Sequence, residues 1–305
     1  MANGEKKLIK HNRNLSAASI KTNAFGWLLI LPALLMFVLI VWRPVVIAFT
    51  DAFYKIQGVE RIEFVGFKNF IDVLTDENFL KALGNTARYV LWSLVIGLPL
   101  PLITAVMLNE MVHTKNTFNV LMYLPCVIPA MATYLIWKMV YSDGAGGLLN
   151  MIIMFFGKDA TTWLSDSKKV IPLIIISMTW NSFGGSVILY LSILQGVDKN
   201  LYEAARLDGA GIFTRIRVVM MPNIYGILLL NTIRQIIGVF QIYEQPLTMT
   251  GGGPNGASQT LGLMNYYYAF KYGQFDKSMA LGVITFLLLV WLTLIYFRLD
   301  KKIND

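Results

Sequence analysis

The sequence is poor in the residues that most chemistry requires. Its 305 residues include one cysteine, Cys126, and two histidines, His11 and His113. A lone thiol can form neither an internal disulfide nor a multi-thiolate metal site. Both histidines lie in polar flanks, so no metal centre is expected. Charge is scarce as well, with 14% charged residues against 56% hydrophobic. No acids, histidines or cysteines cluster within the apolar stretches, which excludes the usual groundwork of a membrane-embedded enzyme. The glycine run Gly251-Gly252-Gly253 is followed by Pro254 and not by Gly-Lys-Ser/Thr, so it is no phosphate cradle. The chain therefore has no nucleotide site, and no cofactor is expected in it.

The charge that is present is mostly positive, with a formal balance of +8. The basic residues are spread through loops and tails, without a basic patch interleaved with aromatics. That distribution fits orientation against lipid headgroups and argues against a nucleic-acid partner.

Long hydrophobic runs are abundant. Phe25 to Phe49, Tyr89 to Leu108, Phe118 to Trp137, Val170 to Leu194, Ile224 to Tyr243 and Met279 to Phe297 each approach the ~20 apolar residues needed to cross a bilayer core. The first is too long for a signal-peptide core and lacks a clean cleavage site after it. An all-α membrane protein with six transmembrane helices is expected. Its parts would be a basic tail over 1–24, a six-span membrane bundle over 25–297, and a short tail over 298–305. Lys6, Lys7, Lys10, Arg13 and Lys21 face only Glu5 in the first tail. Across the chain, 13 Lys and Arg fall on the side of the two termini and 9 in the opposite loops. This bias predicts that both termini and the 198–222 segment are cytoplasmic. Pro99, Pro101, Pro125, Pro129 and Pro172 inside spans are expected to act as kinks.

Two spans bear polar stripes. Asn181, Gly184, Gly185, Ser192 and Gln195 fall near one face of the fourth, and Asn231, Arg234, Gln235, Gly238 and Gln241 near one face of the fifth. Unsatisfied polar groups in hydrocarbon cost several kcal/mol, so these faces should look at protein or water. Interhelical hydrogen bonding, with small-residue packing at Gly184-Gly185, is one reading. Contact with a solute is the other, and Tyr190 and Tyr243 could stack on it. Arg234, about midway along its span, has no acid on its own stripe. It either lines a path or pins a subunit interface.

Between the fourth and fifth spans lies Asp198 to Pro222, the longest polar, helix-forming run between two apolar segments. Asp198 can cap a helix through Leu207, Asp208-Gly209 is a turn signal, and a second helix begins at Ile212. Pro222 should end the unit. This describes a helix-turn-helix hairpin able to dock onto a soluble partner.

Here the residues resemble a known family. Glu203-Ala204-Ala205, then Asp208-Gly209-Ala210, then Val219, Met221 and Pro222, resemble the EAA signature of ABC importer permeases. Val219 and Met221 stand where the family has Ile and Leu. Phe64 to Phe70 with Phe79 to Tyr89 resembles the entry segment of maltose-system-type sugar permeases, and Thr250 to Pro254 resembles their TGGGP loop. The resemblance implies a type I ABC importer permease fold, the first of an unlike pair. It implies as partners a second permease, a cytosolic ATPase dimer that binds ATP and Mg, an extracellular solute-binding protein, and a sugar or oligosaccharide. It also implies that Glu203, Ala204, Ala205, Asp208, Gly209 and Pro222 belong to a coupling hairpin that sits on the ATPase. The expected location is a bacterial inner membrane, crossed several times. A same-superfamily permease for glycerol phosphate or a polyamine is the alternative, with a membrane-embedded enzyme behind it.

Overall fold

A computed structural model describes residues 17–58, 60–111 and 115–304. His11, His113 and the basic residues Lys6, Lys7, Lys10 and Arg13 lie outside the described residues. The chain divides into two compact units at Thr50/Asp51. In the first, the helix Ala17–Phe37 passes through a π-turn, Val38–Trp42, into the helix Arg43–Asp51.

The second unit contains the other expected spans. Among the described residues, four of its helices are long and apolar enough to cross a membrane: Glu77–Glu110, Val170–Gly196, Ile212–Phe240 and Phe275–Arg298. With the first-unit helix Ala24–Asp51 they make five. The expected third span is different. Thr117–Val127 and Ala130–Val140 form a pair bent by 96° and count as a sixth span only when taken together. The break falls at Ile128-Pro129, because the residue before a proline is pushed out of the α region and Pro129 adopts extended backbone as the N-cap of the second half. The last helix runs unbroken to Asn304, so the expected tail from 298 continues the helix.

Most of the other prolines do not break their helices, and the reason is local. A proline within a helix clashes with the carbonyl four residues back and removes a donor. Three π-turns, Val38–Trp42, Ser93–Gly97 and Ile216–Met220, end immediately before Arg43-Pro44, Leu98-Pro99 and Met221-Pro222. In each the residue preceding proline donates five residues back: Arg43 to Val38, Leu98 to Ser93 and Met221 to Ile216. The wider turn makes room for the ring and keeps the helix hydrogen-bonded. Pro222 therefore does not terminate the hairpin as expected; the helix continues from Ile212 to Phe240.

Small elements between the spans were not anticipated from sequence. An antiparallel hairpin pairs Tyr54–Gln57 with Glu60–Phe64, and Gly66 turns left-handed after it. Asn69 is buried there and donates to the carbonyls of Ala52 and Tyr54, both at 2.9 Å. Short helices follow at Lys68–Leu74, Leu148–Phe155, Glu244–Thr250 and Leu261–Tyr266.

Among the described residues, two core clusters stand out. One gathers Tyr89, Tyr141, Ile174, Ile175, Val239 and Met249, and the other Ala105, Leu108, Val187, Tyr190, Met220 and Ile224. Gly184 lets two helices meet: a Cβ there would lie 2.2 Å from the Met122 carbonyl. For this glycine, small-residue packing is the observed role.

Candidate translocation site and docking hairpin

The central cavity lies between the helices Glu77–Glu110, Val170–Gly196 and Ile212–Phe240. It measures about 550 Å³. Six residues of the expected stripes line it together, Asn181, Gly185, Asn231, Arg234, Gln235 and Gly238, and so does Tyr190, expected as a stacking residue. Tyr190 and Asn231 interact directly through the tyrosine hydroxyl. Arg234 makes no hydrogen bond or ion pair among the described residues, and no Asp or Glu lines the cavity. Arg234 is an exposed residue. Arg234 is not midway along the observed helix but six residues from its end at Phe240, about 9 Å at 1.5 Å per residue. The helix begins at Ile212, much earlier than the apolar run does, and this moves its midpoint.

Two of the lining side chains also hold the bundle together. Asn181 donates to the Pro125 carbonyl and to Thr133 Oγ1, both at 3.1 Å, and so spans the break in the third span. Gln235 Nε2 reaches the Ser93 carbonyl at 3.4 Å, beside the π-turn that precedes Pro99. Interhelical bonding and cavity lining coincide in these residues.

Gln241 and Tyr243 are elsewhere. They line a separate cavity of about 380 Å³ with Tyr266 and Phe270. Periodicity put Gln241 with Arg234, but the helix ends at Phe240 and Gln241 is its C-cap, so the side chain leaves the stripe. Tyr243 stacks on Tyr266 with centroids 5.1 Å apart. Ser192 bonds back to the Ile188 carbonyl at 2.7 Å and does not reach the central cavity. Sequence reasoning missed Ser93, Tyr134, Thr179, Ser182, Ser186 and Gln245, which also line it. The spacing of Thr179, Ser182 and Ser186 (i, i+3, i+7) was the available signal for one face. Tyr134 and Gln245, bonded at 2.7 Å, come from separate helices and gave none.

At one end of the bundle the two loop motifs meet. Asn85 donates to the carbonyls of Gly256 (2.8 Å) and Gln259 (3.0 Å), and the Leu261 N–H donates to Thr86 Oγ1 at 3.0 Å. Tyr89 reaches the Ser258 carbonyl, and the Lys81 ammonium that of Asn255. Within the loop, Gly251 and Gly252 have φ of 60° and 86°, and Thr250 and Ser258 share a hydrogen bond of 2.7 Å. Nearby, Tyr268 donates to Asp76 at 2.6 Å. Burial raises the Asp76 pKa, but the bonds from Tyr268 and Asn78 and the Lys277 charge outweigh it and hold the carboxyl below its ordinary value.

The hairpin forms the other end. Asp198 accepts from the Asn200 N–H at 3.0 Å and caps the helix Lys199–Leu207. At its C-terminus the N–H of Ala210 bonds to the Ala205 carbonyl, and that of Gly209 to Arg206. With Gly209 at φ 73°, this is a Schellman turn. Glu203, Ala204 and Asp208 are exposed and Ala205 is partly so. Leu207 and Phe213 are 89% and 84% exposed on either side of the turn. Behind them, Arg215 pairs with Glu110 at 2.7 Å, and Asn109 donates to the Tyr202 hydroxyl at 3.4 Å. Burial pushes the Tyr202 phenol above its ordinary range, so it stays neutral.

Residues 97–305 match the family model described as the binding-protein-dependent transport system inner membrane component. The chain belongs to that family. It is a transport permease by family, not an enzyme. It is 25% identical to the trehalose/maltose transport system permease protein MalF of Thermococcus litoralis, over 96% of this chain and 99% of that protein. It is 30% identical to the polygalacturonan/rhamnogalacturonan transport system permease protein YteP of Bacillus subtilis, over 97% of this chain and 94% of the relative. Among solved structures it is similar in fold to a bacterial ABC transporter involved in import of the acidic polysaccharide alginate. The TM-score is 0.83 at 20% identity, covering 94% of this chain and 99% of the other. The fold is that of a type I ABC importer permease, with several membrane-crossing helices.

Proposed function

We propose that this chain is a transmembrane permease subunit of an importer for a sugar or oligosaccharide, driven by ATP hydrolysed on another polypeptide. The central cavity is the observation that supports this most. Its volume falls in the range of roughly 300–1,000 Å³ usual for small-molecule sites. Its polar lining is rich in amides and hydroxyls, which pair with sugar hydroxyls in either direction. Relatives that match nearly the whole chain are named for transport of trehalose/maltose, arabinooligosaccharides and lactose. A polyamine would meet Arg234 with no carboxylate to hold it.

The 198–222 hairpin is the docking element for the ATPase in this reading, with Glu203 as its charge and Leu207 and Phe213 as its apolar contacts. ATP and Mg belong to that partner. A second permease completes the pathway, and a solute-binding protein delivers the sugar at the end formed by the Thr250–Pro254 loop. The hairpin and both termini face the cytoplasm of a bacterial inner membrane. The test is solute uptake into proteoliposomes containing the assembled complex, with and without internal ATP and with and without binding protein. Uptake that is independent of ATP would sink the proposal.

A further inference from the structure

Another cavity, of about 660 Å³, lies against Pro254 and Asn255, at the end of the Thr250–Pro254 loop. Both this cavity and the central one are lined from the helices Glu77–Glu110 and Val170–Gly196. Arg88, Trp92 and Ile171 line the outer cavity, and Ser93, Gly97 and Ile175 the central one. Ile171 and Ile175 are one helical turn apart, about 6 Å.

The charges of the two cavities have one sign. Lys81, Arg88 and Lys168 line the outer cavity and Arg234 the central one, and neither lining contains an Asp or Glu. Lys81 and Arg88 are seven residues apart, on one face of their helix. Lys81 donates to the Asn255 carbonyl, while the side chains of Arg88 and Lys168 make no hydrogen bond or ion pair among the described residues. The acid closest to Lys168 in sequence, Asp166, is engaged by the Lys169 ammonium at 3.1 Å and by the backbone N–H of Lys168. Cations gathered without acids repel one another, and an anion relieves that repulsion.

We infer that the solute is anionic: a saccharide bearing carboxylates, met first by Lys81, Arg88 and Lys168 and then by Arg234. This rests on the importer reading and narrows it. Arginine suits the task because its planar fork binds a carboxylate in two-point fashion.

The experiment uses the assembled complex with its binding protein in proteoliposomes and compares labelled trigalacturonate with maltotriose. ATP-driven uptake of trigalacturonate is expected. Arg88→Gln with Lys168→Gln, and separately Arg234→Gln, should lower it by about tenfold or more. Arg88→Lys and Arg234→Lys should retain much of it, with basal ATPase activity reporting correct assembly. Uptake of maltotriose but not trigalacturonate would overturn the inference and leave the importer reading standing. Absence of ATP-driven uptake of either sugar would overturn both. A third result points to another source for the carboxylate. If neutralising Arg88 and Lys168 weakens binding-protein stimulation of the ATPase equally with either sugar, the outer cavity holds an acidic side chain of the binding protein, and the solute inference fails.

Discussion

Arg215, in the first turn of the helix Ile212–Phe240, donates to Glu110, the last residue of the helix Glu77–Glu110, at 2.7 Å. Their side chains are 14% and 25% exposed. This pair, with Asn109 and Tyr202 beside it, ties the hairpin to the second long helix. Removing one member of a largely buried pair leaves the other charge uncompensated. Glu110→Ala and Arg215→Ala should therefore retain basal ATP hydrolysis in the assembled complex but lose most uptake, by about tenfold. Uptake at the native rate in both variants would show that the tie is dispensable.

The hairpin itself makes a sharper case. Glu203 is exposed and has no partner within the described residues. Glu203→Lys should abolish uptake without disturbing membrane insertion. Gly209 has φ 73°, where a β-branched residue is strained by about 1–3 kcal/mol. Gly209→Asn should keep more activity than Gly209→Val, since asparagine tolerates left-handed backbone. Equal activity of the two would remove the turn geometry as the cause.

Topology can be read with an impermeant thiol reagent in intact cells. In a Cys126→Ser background, Asp72→Cys, Asp159→Cys and Asn255→Cys should label from outside, and Glu203→Cys should not. Labelling of Glu203→Cys from outside would reverse the proposed orientation and the functional proposal with it.

Asn181 bridges the broken third span through two donated hydrogen bonds. Asn181→Ala should cost about 1–3 kcal/mol, the loss of two hydrogen bonds at roughly 0.5–1.5 kcal/mol each. Asn181→Asp should cost more, because a carboxylate would face the Pro125 carbonyl. Thermal unfolding of the purified complex measures both, and an unchanged transition would show that the break needs no bridge.

Asp76 sets a limit on acid stability. Its carboxyl is held below its ordinary value in the folded protein, chiefly by the hydrogen bonds from Tyr268 and Asn78. A depressed carboxylate contributes stability above its unfolded pKa and loses it as pH falls through the folded value. Stability should therefore decline below about pH 4, and Asp76→Asn should flatten that decline while lowering stability at neutral pH. A decline of unchanged steepness in Asp76→Asn would assign it to other groups.

The features legible in the sequence were those encoded within one helix or one turn. The fourth span began at Val170 as expected, because apolar length alone decides it. The hairpin was readable because Asp198, Asp208 and Gly209 act on their immediate neighbours. Asn181, Asn231, Arg234 and Gln235 share a cavity because helical periodicity placed each on an inward face. Pro129 announced a kink, but hydropathy carries no direction, so the 96° size of the bend at Ile128-Pro129 was not legible within an apolar run. Gln241 was misplaced because periodicity was continued past the last helical residue. The contact between Asn85-Thr86 and the Gly256–Leu261 stretch joins motifs about 170 residues apart. Each was visible alone, and nothing local announces that one receives the other.

Because the π-turn ahead of Pro222 keeps the backbone hydrogen-bonded, Arg215 and Arg234 ride on one helix, Ile212–Phe240. The nineteen residues from Arg215 to Arg234 make a lever about 28 Å long, with the ion pair to Glu110 at its base and Arg234 near its tip. A tilt of roughly 10° at the base would sweep the tip through about 5 Å, longer than a hydrogen bond. Motion at the hairpin would thus reach the cavity as displacement, with no relay of side chains between.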